Sequence, residues 1–163
     1  MKSSKENKEK ATFAMGCFWQ PDILFSKLPG VTKAVVGYTG GLEKYKNPNY
    51  QEVCSGKTGH AEAIEIEFNP KKTSYKELLE IFWKRHNPTT MNRQGPDVGS
   101  QYRSAIFYHN EKQKSLALET KSEAQKKFKN PIVTEIKKAT QFYPAEDYHQ
   151  KYLEKRGLES CHV

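Results

Sequence analysis

Three cysteines in 163 residues, at positions 17, 54 and 161, are too few to staple a small fold together. No C-x-x-C pair occurs, so neither a cysteine zinc site nor a paired-cysteine redox motif is present. His60, His149 and His162 do not stand at metal-ligand spacings, and no metal or other cofactor is expected. No apolar run approaches the roughly 18–20 residues that a membrane helix needs. The opening MKSSKENKEK lacks the apolar stretch of a secretory signal, and the expectation is a cytoplasmic protein with no membrane partner. Zinc-finger, KH and RNP-type motifs are missing too. The net charge of +8 then has no nucleic-acid signature to go with it. Much of the excess sits at the N-terminus and between Glu111 and Asn130, where lysines mix with glutamates as on a solvated helix face. No interface stripe stands out, and a monomer is expected.

What remains is the mixture of a soluble globular chain, 36% hydrophobic and 28% charged, of a length that suits one domain. The expected organisation is a flexible basic tail over 1–10, then a single domain over 11–163 whose C-terminal tail is mobile from about 157. ATFAMG reads as a short strand ending in glycine, and a helix follows from Cys17 to Leu28. VTKAVVGYTGG is a second strand. Leu42 to Gly59 lacks periodicity and reads as a long ordered loop, a kind of segment often given to function. HAEAIEIEFNP alternates as a strand with one face to a core, and Glu62 stands on the same face as Ile64, Ile66 and Phe68. A carboxylate in that company is out of place. TSYKELLEIFWKRH is a capped helix with Leu78, Leu79, Phe82 and Trp83 in a stripe. After an irregular loop come the strand YRSAIFYH, an amphipathic helix from Glu111 to Lys129, the short strand IVTEIKKA, and a turn into a final short helix. Strands separated by helices, with two long loops, predict a mixed α/β or α+β sandwich of one sheet with helices packed on it.

Cys17 is the residue with the clearest chemical placement. It follows a strand and a glycine and opens a helix, where unpaired N–H groups and the helix dipole favour a thiolate. Gly16 lets the backbone turn beside the sulfur. The competing reading is a buried, inert cysteine flanked by the core aromatics Phe18 and Trp19.

GCFW in this setting resembles the active-site signature of the type A methionine sulfoxide reductases, which act on the S epimer of methionine sulfoxide. GYTGG, NPNYQEVCSGKTGHAEAIEIEFNP, GPDVGSQYRSAIFYH and FYPAEDYHQKYL resemble the family's further blocks in order, from about residue 11 to residue 156. The resemblance implies an α+β fold, a two-layer ferredoxin-like sandwich with one mixed sheet and long irregular loops. It also implies a role for each matched residue. Cys17 attacks the sulfoxide sulfur, Glu62 is the general acid, Tyr50 and Tyr102 hold the polarised oxygen, and Asp97 helps to orient the site. Phe18 and Trp19 form the pocket for the substrate methyl group. Such a methyl contributes about 0.8 kcal/mol by burial, enough to orient the substrate more than to bind it.

The sulfenic acid left on Cys17 is then resolved by a second thiol, for which Cys161 is the first candidate and Cys54 the alternative. Thioredoxin is the implied reductant, and oxidised proteins or free methionine S-sulfoxide the implied substrates. The chain departs from the family pattern at Gln20, where glycine is usual, and at Pro21. Both are expected to alter the pocket rim or the helix geometry and to leave the chemistry intact. Two other readings stay open: a single-cysteine peroxidase, separable by its oxidant, and a basic nucleic-acid-binding module, separable by salt-sensitive binding.

Overall fold

The computed structural model describes residues 8–156. Its centre is a β-α-β-β-α-β unit built from β1 (Glu9–Met15), α1 (Trp19–Ser26), β2 (Val31–Thr39), β3 (Ala61–Phe68), α3 (Tyr75–Lys84) and β6 (Ser104–Tyr108). The short helix α2 (Tyr50–Cys54) lies between β2 and β3. The four strands stand in the order β6-β1-β3-β2, every neighbour antiparallel, which is the ferredoxin-like arrangement. Two further strands extend the sheet. β7 (Glu135–Lys138) adds parallel to β6, and β8 (Tyr143–Pro144) adds antiparallel to β2. The sheet is therefore mixed, as expected.

The alternation of β3 sets the two faces of the sheet. Ile64, Ile66 and Phe68 turn toward α1 and α3, and Phe13 stands between Ile64 and Ile106 on the neighbouring strands. The Phe13 ring meets Phe25 of α1 at 5.7 Å and Phe82 of α3 at 5.2 Å, so one strand residue joins both helices. Each such buried aromatic contributes roughly 1.5–3 kcal/mol from area removed from water. Helix α3 starts at Ser74, whose capping box with Glu77 satisfies two end groups reciprocally. Helix α4 (Glu111–Gln125) packs beside α3, and Trp83 Nε1 donates to Thr120 Oγ1 at 2.9 Å. The opposite face is smaller: Ala14, Ala61, Ala63, Ala105 and Phe107, with Ala139 and Phe142 packed against them.

Several element boundaries differ from the sequence reading, each for a local reason. β1 includes Glu9 and Lys10, assigned to the tail on composition, because both pair with the end of β3. The helix read as Cys17–Leu28 is α1, Trp19–Ser26; Cys17 lies in the turn before it and Phe18 is its cap residue. The loop from Leu42 to Gly59 contains α2, started by an Asn49–Glu52 capping box. The second irregular loop contains a hairpin of β4 (Arg93–Gln94) and β5 (Asp97–Val98), turned by Gly95 and Pro96 with Gly95 at φ 58°. Helix α4 ends at Gln125, four residues short of Lys129, and its buried stripe of Gln113, Ala117, Thr120 and Ala124 is narrow and partly polar. The described residues end with a 3₁₀ turn (Asp147–His149) and α5 (Tyr152–Lys155). No helix among the described residues is long and apolar enough to cross a membrane.

Candidate active site

Gly16 makes the turn that presents Cys17. Its φ of 94° is in the left-handed region, and a Cβ there would stand 2.7 Å from Cβ and Cγ of Gln94. Gln94 cannot yield easily, because its amide is paired with both backbone groups of Asn87 at 2.8 Å. Cys17 itself is half-buried, and its carbonyl accepts the N–H of Gln20 at 3.4 Å. Pro21, third in α1, occupies a first-turn position where its missing N–H costs little.

Glu62 projects from β3 on the helix-facing side, 1% exposed. Its Oε1 accepts the backbone N–H of Phe18 at 3.2 Å. Oε2 is buried and has no protein hydrogen-bond partner among the described residues. Burial pushes its pKa up to about 8; the Phe18 N–H opposes that rise and the nearby Asp97 charge adds to it. With a pKa of about 8 the protonated form is the major one at neutral pH.

Helix α2 is one turn long, and its ends are the useful residues. Tyr50 opens it and Cys54 closes it, at the i, i+4 spacing that puts both on one side. The Tyr50 hydroxyl reaches the Cys54 thiol and the Tyr102 hydroxyl, and both tyrosines sense the charge of Glu62. Burial holds the Tyr102 phenol up at about 12 and raises that of Tyr50 further, so both remain proton donors. Cys54 is also raised, first by burial, and interacts with the side chain of Gln101. Asp97 comes from the first position of β5, half-buried, close enough for its charge to act on Glu62 and Tyr102.

Phe18 is fully buried against Tyr38 and His149, while Trp19 is half-buried. Trp19 Nε1 donates to His149 Nδ1 at 3.1 Å, and its indole stacks on the Tyr152 ring at 3.6 Å. The structure thus gathers Tyr50, Tyr102 and Asp97 around Glu62, whose carboxyl is bonded to the peptide that follows Cys17.

A sequence profile of the family described as peptide methionine sulfoxide reductase matches residues 9–163. The chain belongs to that family, in its type A branch. A peptide methionine sulfoxide reductase MsrA from Methanosarcina acetivorans is 58% identical over 155 residues, which cover 94% of this chain and 81% of that protein. Among solved structures, Mxr1 from Saccharomyces cerevisiae in reduced form matches with a TM-score of 0.88 at 38% identity, over 92% of this chain and 86% of that one. Mxr1 in complex with Trx2 matches with a TM-score of 0.65 at 27% identity, over 93% and 89% of the two chains.

Of the residues expected to form the site, Cys161 lies outside the described residues, as does the tail from 157. The sequence reading missed Glu146, whose carboxylate binds both the backbone N–H of Tyr50 and the hydroxyl of Tyr38 at 2.9 Å. It also missed Gln101 beside Cys54. The Asn-x-x-Glu signal of α2 was present in NPNYQEV and marks the helix that carries Tyr50.

Proposed function

We propose that this protein reduces the S epimer of methionine sulfoxide to methionine, with Cys17 as nucleophile and Glu62 as general acid. The observation that carries the reading is a buried carboxyl bonded to the peptide next to Cys17, with its other oxygen buried and without a hydrogen-bond partner among the described residues, and with its pKa raised by burial to about 8. The Cys17 thiolate attacks the sulfoxide sulfur, and the departing oxygen takes a proton from Glu62. In sum the oxygen passes from substrate sulfur to Cys17: the substrate gains two electrons and leaves as methionine, and Cys17 becomes a sulfenic acid. Tyr50 and Tyr102 donate to the oxygen as its charge grows, and the Asp97 charge helps keep Glu62 protonated. Phe18 forms the floor and Trp19 the wall of the pocket for the S-methyl group.

A second thiol then attacks the sulfenic sulfur, forming a disulfide and releasing water. Cys161 is the proposed resolving residue. Burial disfavours the Cys54 thiolate, which makes Cys54 the poorer attacking group. A thioredoxin-type dithiol reduces the disulfide, a reading supported by the complex of the relative Mxr1 with Trx2. The same reading takes methionine sulfoxide in proteins and as the free amino acid as substrates, and has the enzyme act as a cytoplasmic monomer without a metal or other cofactor.

Epimer-resolved turnover tests it. Wild type should convert the S epimer and leave the R epimer, and Cys17→Ser should convert neither. Cys161→Ser should complete one turnover and then stop with thioredoxin; continued cycling would transfer the resolving role to Cys54. Equal use of both epimers, or activity in Cys17→Ser, would overturn the reading.

A further inference from the structure

Residues 143–155 strap the edge of the sheet to the site. β8 pairs with Gly37 and Tyr38 of β2. The Gln150 amide accepts the backbone N–H of Val36 at 3.0 Å and donates to its carbonyl at 2.9 Å, as a further strand residue would. The backbone N–H of Lys151 donates to buried Asp22 at 2.6 Å, which fixes the strap to α1. Within this strap, one side chain binds β2 and α2 at once. Glu146 Oε1 accepts the Tyr38 hydroxyl and Oε2 accepts the backbone N–H of Tyr50, each at 2.9 Å.

Tyr38 stands directly opposite Glu62 in the β2–β3 register, and Tyr50 is the first residue of α2. The Glu146 carboxylate therefore joins the strand that encloses the acid to the helix that presents the phenol. A five-residue helix has no stability of its own, so the placement of Tyr50 depends on what holds the N-terminus of α2. The Asn49–Glu52 capping box holds it from within, and Glu146 holds it from the strap.

We propose that Glu146 is a positioning residue for the reaction, keeping the Tyr50 phenol in register with Glu62. This rests on the function proposed above. An ionised carboxylate suits the task because both of its oxygens accept, and bonds to a charged acceptor are roughly twice as strong as neutral ones. Burial works against ionisation of Glu146, but the bonds from Tyr50 N–H, its own N–H and Tyr38 outweigh it and keep the group charged. A glutamine would offer one acceptor and turn an N–H₂ toward the other donor.

The test is a double-mutant cycle on S-sulfoxide reduction with wild type, Glu146→Gln, Tyr50→Phe and the double variant. Glu146→Gln should slow the reduction step about tenfold with KM within about twofold, and should add no further loss to Tyr50→Phe. Losses that multiply, or an unchanged rate in Glu146→Gln, would overturn the proposal. Tyr38→Phe removes one donor and leaves the carboxylate. It should slow the step about threefold, again only when Tyr50 is present, and it carries the cycle if Glu146→Gln does not fold. Hydrogen exchange at the Tyr50 amide provides a readout independent of turnover. Faster exchange in Glu146→Gln supports the contact, and unchanged exchange removes it. Wild type without activity on the S epimer would count against the proposed reaction, while the exchange result still decides for or against Glu146.

Discussion

The carboxyl of Glu62 is bonded to the backbone N–H of Phe18 at 3.2 Å, so the buried acid is tied to the peptide that follows Cys17. Glu62 stands on β3 and Phe18 caps α1, 44 residues apart in sequence. Among the described residues, charge on Glu62 is met by that N–H at Oε1, and Oε2 has no protein donor. This is why burial dominates and the proton stays on.

The pH dependence of turnover follows. In the proposed reaction the protonated form of Glu62 is the working form, so the rate of sulfoxide reduction should fall as pH rises through about 8. Glu62→Gln should be slower by roughly 10²–10⁴-fold and should lose that falling limb. Single-turnover rates between pH 6 and pH 10, roughly two units either side of the group's midpoint, check both expectations. A limb of unchanged position in the variant would show that another group titrates.

Stability should carry the same signature with a definite sign. The folded pKa of about 8 is above the ordinary 4.5, so the unfolded chain loses this proton first. The contribution of Glu62 is complete below about 4.5, declines as pH rises from there to about 8, and is flat beyond. The decline is at most about 1.4 kcal/mol per pH unit. Urea denaturation at several pH values should show Glu62→Gln gaining on wild type across that window. Parallel curves for the two proteins would contradict the burial of an ionisable group there.

Tyr102→Phe should lower the rate of the reduction step by roughly tenfold to a hundredfold and leave KM nearly unchanged, since the proposed reaction uses its hydroxyl where charge develops. Steady-state kinetics with the S epimer decide it. A change confined to KM would make Tyr102 a binding group instead.

Gly16→Ala should cost more than Gly59→Ala, though both glycines have positive φ. Left-handed backbone costs each alanine about 1–2 kcal/mol. At Gly16 the new Cβ would also press on Gln94 at 2.7 Å, whereas at Gly59 the nearest atom is 3.6 Å away. Thermal unfolding of the two variants should separate them, and Gly16→Ala should also slow turnover because the strain falls beside Cys17. Equal losses would show that Gln94 gives way freely.

Local pattern carried much of this architecture. The period-two alternation of β3 placed Glu62 on the apolar face, and that misfit is the local signal behind its proposed role as general acid. The stripe of Leu78, Leu79, Phe82 and Trp83 marked α3, and all four are buried. Cys17 was legible as a residue at a strand–glycine–helix junction, but its offset from α1 was not, because Phe18 caps the helix without a side-chain bond. The strap was beyond reach for a different reason. Glu146 meets Tyr50 across 96 residues and Lys151 meets Asp22 across 129, and no local period encodes contacts of that separation.

The central claim is oxygen transfer from a sulfoxide sulfur to Cys17, and one measurement addresses it directly. Cys161→Ser protein, fully reduced and without external dithiol, is mixed with a single equivalent of methionine S-sulfoxide. Methionine released and the oxidation state of each cysteine are then read together by mass spectrometry with a sulfenic-acid trap. The account predicts one methionine per protein and one oxidised Cys17, as trapped sulfenic acid or as a disulfide from it. Methionine formed with Cys17 still a thiol would contradict it.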